Sequence, residues 1–133
     1  MTKLFLSLLF IFLAGGHLFA QVPQPSLLSD LDIPLMTGFQ EEEDSRVVFD
    51  TPDGRIIEVR AAGFSDAKAV FDYYQIVLPS LAWRNVAAPT DACGGGTEFC
   101  IMARRDGEIL RLNVTEIKQS PQKTIIYFSV NPE

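Results

Sequence analysis

Two hydrophobic periods alternate along this chain. RVVFD (Arg46–Asp50) and RIIEVRAA (Arg55–Ala62) are rich in β-branched residues, and in the second Ile57, Val59 and Ala61 alternate with Glu58, Arg60 and Ala62. A period of two sends one set of side chains to a buried face and the other to water, which predicts strands. Between them TPDG supplies Pro52 and Asp53 for a turn and Gly54 for a positive φ, so the two runs read as a hairpin. FSDAKAVFDYYQIVLP then changes period. Ala67, Val70, Phe71, Tyr74, Val77, Leu78 and Leu81 fall at steps of three and four, the stripe of an amphipathic helix. Ser65 or Asp66 is placed to cap its start, and Pro79, which lacks an amide donor, predicts its end nearby.

Period two returns in the second half. Ala82–Ala87 reads as a strand, FCIMARR puts Phe99, Ile101 and Ala103 on one face, and EILRLNV does the same with Leu110, Leu112 and Val114. Asp106-Gly107 joins these two runs and is a strong signal for a two-residue hairpin turn. KTIIYFSV (Lys123–Val130) sets Ile126, Phe128 and Val130 against Ile125 and Tyr127. The predicted order is ββαββββ, an α+β domain with one helix packed on one face of an antiparallel sheet. The other face, carrying Glu58, Arg60, Arg104 and Arg111, belongs to solvent.

Ahead of this domain, which spans residues 46–133, the pattern is different. MTKLFLSLLFIFLAGGHLFA has one cation, Lys3, an apolar run from Leu4 to Ala14, a Gly15-Gly16 break and a small residue at Ala20. That is the pattern of a secretory signal peptide, expected to be cleaved after Ala20, and its apolar run is short for a span of about 20 residues. No Cys near that point offers a lipid attachment site. Export to the periplasm or beyond is the expectation, with no stable membrane insertion after cleavage. Residues 21–45 read as an extended N-terminal arm and acidic linker. Within it DIPLMTGF offers Ile33, Leu35, Met36 and Phe39, to be laid on the domain or presented to a partner, and Glu41–Asp44 reads as a solvated block whose neighbouring carboxylates diverge.

Charge and composition narrow the chemistry. The 133 residues, enough for one domain, include 11 Lys and Arg, 17 Asp and Glu and a single His, at position 17. Loss of residues 1–20 removes His17 and Lys3, leaving 10 basic against 17 acidic residues and a formal charge of −7. Such a balance has no electrostatic footprint for nucleic acid, and charged partners are expected to be cationic. Without His, a Ser or Cys nucleophile lacks its usual base and a zinc site lacks a usual ligand. No enzymatic activity, cofactor or metal is therefore expected. Cys93 and Cys100, in DACGGGTEFCIM, are spaced as neither a thiol oxidoreductase pair nor a metal pair; in an oxidising compartment they predict a disulfide.

Trp83, the only Trp, follows Pro79 by four residues. Its size suits it to cover the helix C-terminus and close the core, the alternative being a ligand platform shared with Tyr73, which lies off the helix stripe. DIPLM-x-G (Asp32–Gly38), FD-x-P-x-GR (Phe49–Arg55), F-x-YY-x-x-x-LP-x-L-x-W (Phe71–Trp83) and R-x-x-E-x-L-x-L (Arg105–Leu112) resemble a group of small exported bacterial proteins of uncharacterised function. Members of that group often have Gly where this chain has Ala82, and lack the Cys93–Cys100 insertion. Its element order is also loosely similar to that of small envelope-assembly lipoprotein domains. The resemblance implies export and a shared fold, and no activity. The expected function is a non-catalytic binding or accessory protein of the cell envelope, engaging another envelope protein through the solvent-facing sheet or the DIPLMTGF arm. The alternative is a small-ligand-binding domain with a pocket between helix and sheet.

Overall fold

The structure is a computed structural model and describes residues 26–28, 30–89, 91–94 and 99–133. The expected signal peptide and most of the Pro-containing leader lie outside the described residues. One helix, α1 (Ala67–Ser80), packs on an antiparallel sheet, as the periodicity predicts. The six expected strands are present: β4 (Val47–Thr51) and β5 (Gly54–Gly63) before the helix, then β6 (Arg84–Val86), β7 (Phe99–Arg105), β8 (Glu108–Ile117) and β9 (Lys123–Pro132). Three more precede them. β1 (Leu27–Leu28) pairs with β2 (Ile33–Pro34) in a two-stranded ribbon, and β3 (Gln40–Glu41) joins the main sheet. The main sheet runs β3-β5-β9-β8-β7-β6, with β4 also paired to β5.

β5 therefore shares one edge between two segments. Gln40 and Glu41 face Ala62 and Ala61, while Val47 faces Glu58, so six steps from Glu41 to Val47 oppose three on β5. The surplus forms a bulge in which Asp44 takes a positive φ of 57° and the Ser45 hydroxyl accepts from the Arg60 amide at 3.0 Å. This corrects the reading of residues 41–44 as a solvated linker. Glu41 lies in β3 and bonds Arg46, and the half-buried Glu42 pairs with Arg60 at 3.4 Å and Lys123 at 3.2 Å. Only Glu43 and Asp44 of the block are exposed. Arg46, five residues on, captures Glu41, and Arg60 of β5 and Lys123 of β9, distant in sequence, capture Glu42.

The turns follow their sequences. Asp106 (φ 50°) and Gly107 (φ 80°) form the two-residue hairpin between Arg105 and Glu108, with both central residues left-handed as a type I′ turn requires. Gly54 has φ 142° at the end of the Pro52-Asp53 loop.

α1 starts at Asp66, whose side chain accepts from the Ala69 amide at 2.8 Å, satisfying one of the amides that the first turn leaves free. Ala67, Val70, Tyr74 and Leu78 are buried along one stripe. The helix passes through Pro79 to Ser80 instead of ending before it. Pro79 cannot donate to the Gln75 carbonyl one turn back, and the Asn85 side-chain amide approaches that carbonyl at 3.4 Å and the Gln75 side-chain oxygen at 3.0 Å. Termination comes three residues later. Ala82 is left-handed (φ 65°), the Trp83 amide donates to Leu78 O at 3.0 Å, and the Ala82 amide donates to Pro79 O at 3.2 Å. That pair of bonds is the Schellman ending, with Ala82 in the place Gly usually holds.

The helix covers only part of its face of the sheet, whose central strands are ten residues long. The arm completes the cover: Leu28, Leu31, Ile33, Leu35 and Phe39 join Val59, Leu112, Ile126 and Phe128 in one buried cluster. Each such side chain contributes about 1.5–3 kcal/mol when fully buried, so this arm is part of the domain. The Phe39 ring lies where a Cβ on Gly63 would have to be, at 2.6 Å. Gly63 is thus a close-packing position between arm and sheet.

Candidate functional site

The arm is not available for docking. Ile33 is fully buried, Leu35 and Phe39 are nearly so, and Met36 packs half-buried against the core. Four candidate surface residues are thereby turned inward or half inward, because the uncovered end of the sheet needs their apolar area. Trp83 has no exposure, which supports the core reading. Tyr73 is half-buried, its ring edge-on to Tyr74 at 4.9 Å, and burial raises its phenol pKa. Tyr73 and Trp83 therefore form no exposed platform.

The four short motifs meet in this framework. The Tyr74 hydroxyl donates to Pro34 O at 3.2 Å and accepts from the Met36 amide at 3.4 Å, tying the helix to the arm. Arg55 forks onto Glu108 at 2.6 and 3.2 Å, which raises the pKa of its guanidinium. Arg105 lies 4.3 Å from the Trp83 ring centroid. DIPLM-x-G thus meets the YY segment, GR meets R-x-x-E, and W meets R. These contacts give each motif a structural reason.

The space between α1 and the sheet is filled. Val70, Tyr74 and Leu78 are fully buried there with Leu112 and Phe128, and the Tyr74 and Phe128 rings meet edge to face at 5.6 Å. Among the described residues that stripe leaves no room for a pocket. A hollow of about 220 Å³ opens elsewhere, lined by Gly38, Gln40, Ala62, Gly63, Phe64 and Lys123. It is open to solvent and smaller than the roughly 300–1,000 Å³ of small-molecule sites.

What remains is the sheet face opposite the helix. Pairing places Val47, Glu58, Ser129, Arg111, Met102 and Val86 in one continuous row across it. A second row holds Arg60, Tyr127, Asn113 and Cys100, and a third pairs Arg84 with Arg104 and Arg104 with Ile109. The sequence alternation placed Glu58, Arg60, Arg104 and Arg111 here. It missed Arg84 and the apolar members Val47, Phe49, Ile56, Met102 and Ile109, which strand parity would have found once the register was known. Phe49 is 61 % exposed. Burial, then the hydrogen bond to Glu58, raises the pKa of the Tyr127 phenol.

The charge on this face opposes that of the chain. Four arginines stand there against Glu58 and the Glu42 and Glu133 carboxylates that reach Arg60 and Arg104, in a chain whose formal net charge is −6. Other exposed acids stand at turns and loops, at Asp32, Glu43, Asp44, Asp53, Asp66, Asp91 and Asp106, and on β4 and α1 at Asp50 and Asp72. Arg60 bonds Glu42 at 3.4 Å and Arg104 bonds Glu133 at 3.0 Å; both arginine side chains are about half exposed, so these pairs hold them weakly.

The disulfide between Cys93 and Cys100 is formed. Cys100 stands in the Arg60–Asn113 row, and the Arg111 guanidinium donates to Ala92 O at 2.8 Å. The bridge and that bond pin the segment around Cys93 over one end of the face. Beneath it Arg111 Nε and Asn113 Oδ1 are buried without a hydrogen-bond partner among the described residues. Among the described residues no helix is long and apolar enough to cross a membrane. No protein-family model, no curated protein and no solved structure matches this chain.

Proposed function

We propose that this is a non-catalytic accessory protein of the bacterial cell envelope, exported to the periplasm or beyond, which binds another envelope protein through the open face of its sheet. The observation that carries the reading is the segregation of Arg60, Arg84 and Arg104, with the half-buried Arg111 at the covered end, onto one sheet face of an acidic chain. Half-exposed Ile56, Ile109 and Met102 lie among them. Apolar contacts with Arg at hand are the composition that carries energy at protein interfaces, and the guanidinium fork favours carboxylates. The partner that fits presents Asp and Glu around an apolar patch.

The signal-peptide pattern and the resemblance to small exported bacterial proteins support the location. The filled helix–sheet interface favours a protein partner over the small-ligand alternative. Crosslinking in intact cells, followed by capture of the wild type and of an Arg84→Glu/Arg104→Glu variant, tests the interaction. The charge-reversed variant is expected to fold and to lose the crosslinked partner. An unchanged crosslinked species would overturn the assignment of this face. Intact mass of exported protein is expected to begin at Gln21, and residues 1–20 still attached would refute cleavage.

A further inference from the structure

β6 and β7 are antiparallel neighbours, and such strands are ordinarily joined by about 2–5 residues. Residues 87–98 join these two. Of the described part, Ala87, Ala88, Pro89, Asp91 and Gly94 are exposed, Ala92 is half-buried and Cys93 is buried. Two turns shape it, the Ala92 amide donating to Pro89 O at 3.0 Å and the Gly94 amide to Asp91 O at 3.3 Å. Those bonds are internal to the segment. With so little apolar area covered, the hydrophobic effect does little to hold it on the sheet. It is tied there by the Cys93–Cys100 disulfide and by the bond from the Arg111 guanidinium to Ala92 O at 2.8 Å.

The cover has a cost. Cys100 faces Asn113 across the β7–β8 pair, and Arg111 stands on the same face of β8. Arg111 Nε and Asn113 Oδ1 are buried there without a hydrogen-bond partner among the described residues. A buried polar group without a partner forfeits its hydration, and water recovers both atoms once Ala92 and Cys93 move away. The covered arrangement also orders a mostly exposed stretch of chain, at a price in entropy. The covalent tie is what holds it against both costs.

We propose that the Cys93–Cys100 disulfide is a redox latch, whose reduction by a protein dithiol releases the segment and opens that end of the sheet face. A thiolate of the dithiol attacks one sulfur of the bridge to give a mixed disulfide, and its second thiol resolves it. The dithiol gives up two electrons and two protons and becomes a disulfide, while Cys93 and Cys100 become thiols. Opened, Arg111 stands in the row with Ser129 and Met102, its guanidinium free of Ala92 O and able to fork onto a carboxylate. As regulation of binding the latch rests on the function proposed above; the opening itself does not.

Phenylglyoxal labelling of arginines in the free exported chain, with sites located by mass spectrometry, reads the opening without a partner. The oxidised chain is compared with the same chain reduced by dithiothreitol, and with a Cys93→Ser/Cys100→Ser variant needing no reductant. Arg111 should react at least ~10-fold faster in the reduced chain and in the variant, as a locally opened segment permits. The exposed Arg84 should react alike in all three. Hydrogen exchange should keep the Leu112 and Phe128 amides protected throughout, which separates local opening from unfolding. Equal Arg111 labelling in the oxidised and reduced chains would overturn the latch, and so would loss of protection at Leu112 and Phe128 on reduction. Either failure leaves the proposed function standing, since the Arg84→Glu/Arg104→Glu crosslinking comparison tests that separately.

Discussion

The guanidinium of Arg105 sits 4.3 Å from the centroid of the Trp83 ring and donates to Leu81 O at 3.2 Å. One side chain from β7 thus covers the indole and satisfies a carbonyl at the end of α1. Trp83 itself donates its amide to Leu78 O, and Leu78 and Trp83 are both fully buried. Apolar contact between the residues at these two positions accompanies Schellman endings generally. Trp83 is therefore held by the helix it terminates.

Trp83→Ala should cost about 3–5 kcal/mol, the range for removing a large buried aromatic. Trp83→Phe should cost less, about 1–2 kcal/mol, because it also removes an indole N–H that has no partner among the described residues. Denaturant titrations give both values. Native fluorescence should be blue-shifted and resistant to acrylamide, and Arg105→Ala should make quenching easier. A Trp83→Ala protein as stable as the wild type would refute the core assignment.

Ala82 is the strained member of the same turn. Its left-handed φ of 65° costs an L-residue roughly 1–2 kcal/mol, and glycine escapes that cost while losing some entropy on folding. Ala82→Gly is expected to stabilise the protein by about 0.5–1 kcal/mol and raise its thermal midpoint. A lowered midpoint would contradict the geometry of this ending.

Tyr74 links stability to alkaline pH. Burial raises its phenol pKa well above the ordinary value of 10, against a smaller lowering from its backbone hydrogen bond at Met36. The unfolded chain then releases the proton at lower pH than the folded one. The stabilisation is complete below about pH 10 and is lost as the pH rises toward the folded value. Tyr74→Phe should flatten this alkaline decline, while costing about 1 kcal/mol at neutral pH through the bonds to the arm. An identical alkaline slope in wild type and variant would exclude Tyr74 as its source.

The disulfide closes a short loop, with a sequence separation of 7. The loop-entropy relation makes it worth about 2.5 kcal/mol. Cys100→Ser should lower stability by about that amount and leave the sheet intact. Alkylation of unreduced protein should find no free thiol, and labelling of both cysteines would refute the bridge.

Local physics determined the elements. Alternation in Arg55–Ala62, the three-and-four stripe in Ala67–Leu81 and the Asp106-Gly107 turn each act over a few residues, and the chain alone carries them. The disulfide was legible for the same reason, since two cysteines at this spacing and the expected export leave few alternatives. The destiny of apolar segments was not. DIPLMTGF and RVVFD are both apolar and both extended, yet Ile33, Leu35 and Phe39 are covered while Val47, Val48 and Phe49 are exposed. That choice depends on how far a 14-residue helix reaches across ten-residue strands, a distance no local pattern contains. The cationic face has the same origin. Arg60, Arg84, Arg104 and Arg111 are scattered among acids along the chain, and only strand register brings them to one side. Tertiary structure decided the surface, because charge and apolar area act together only where the fold makes them neighbours.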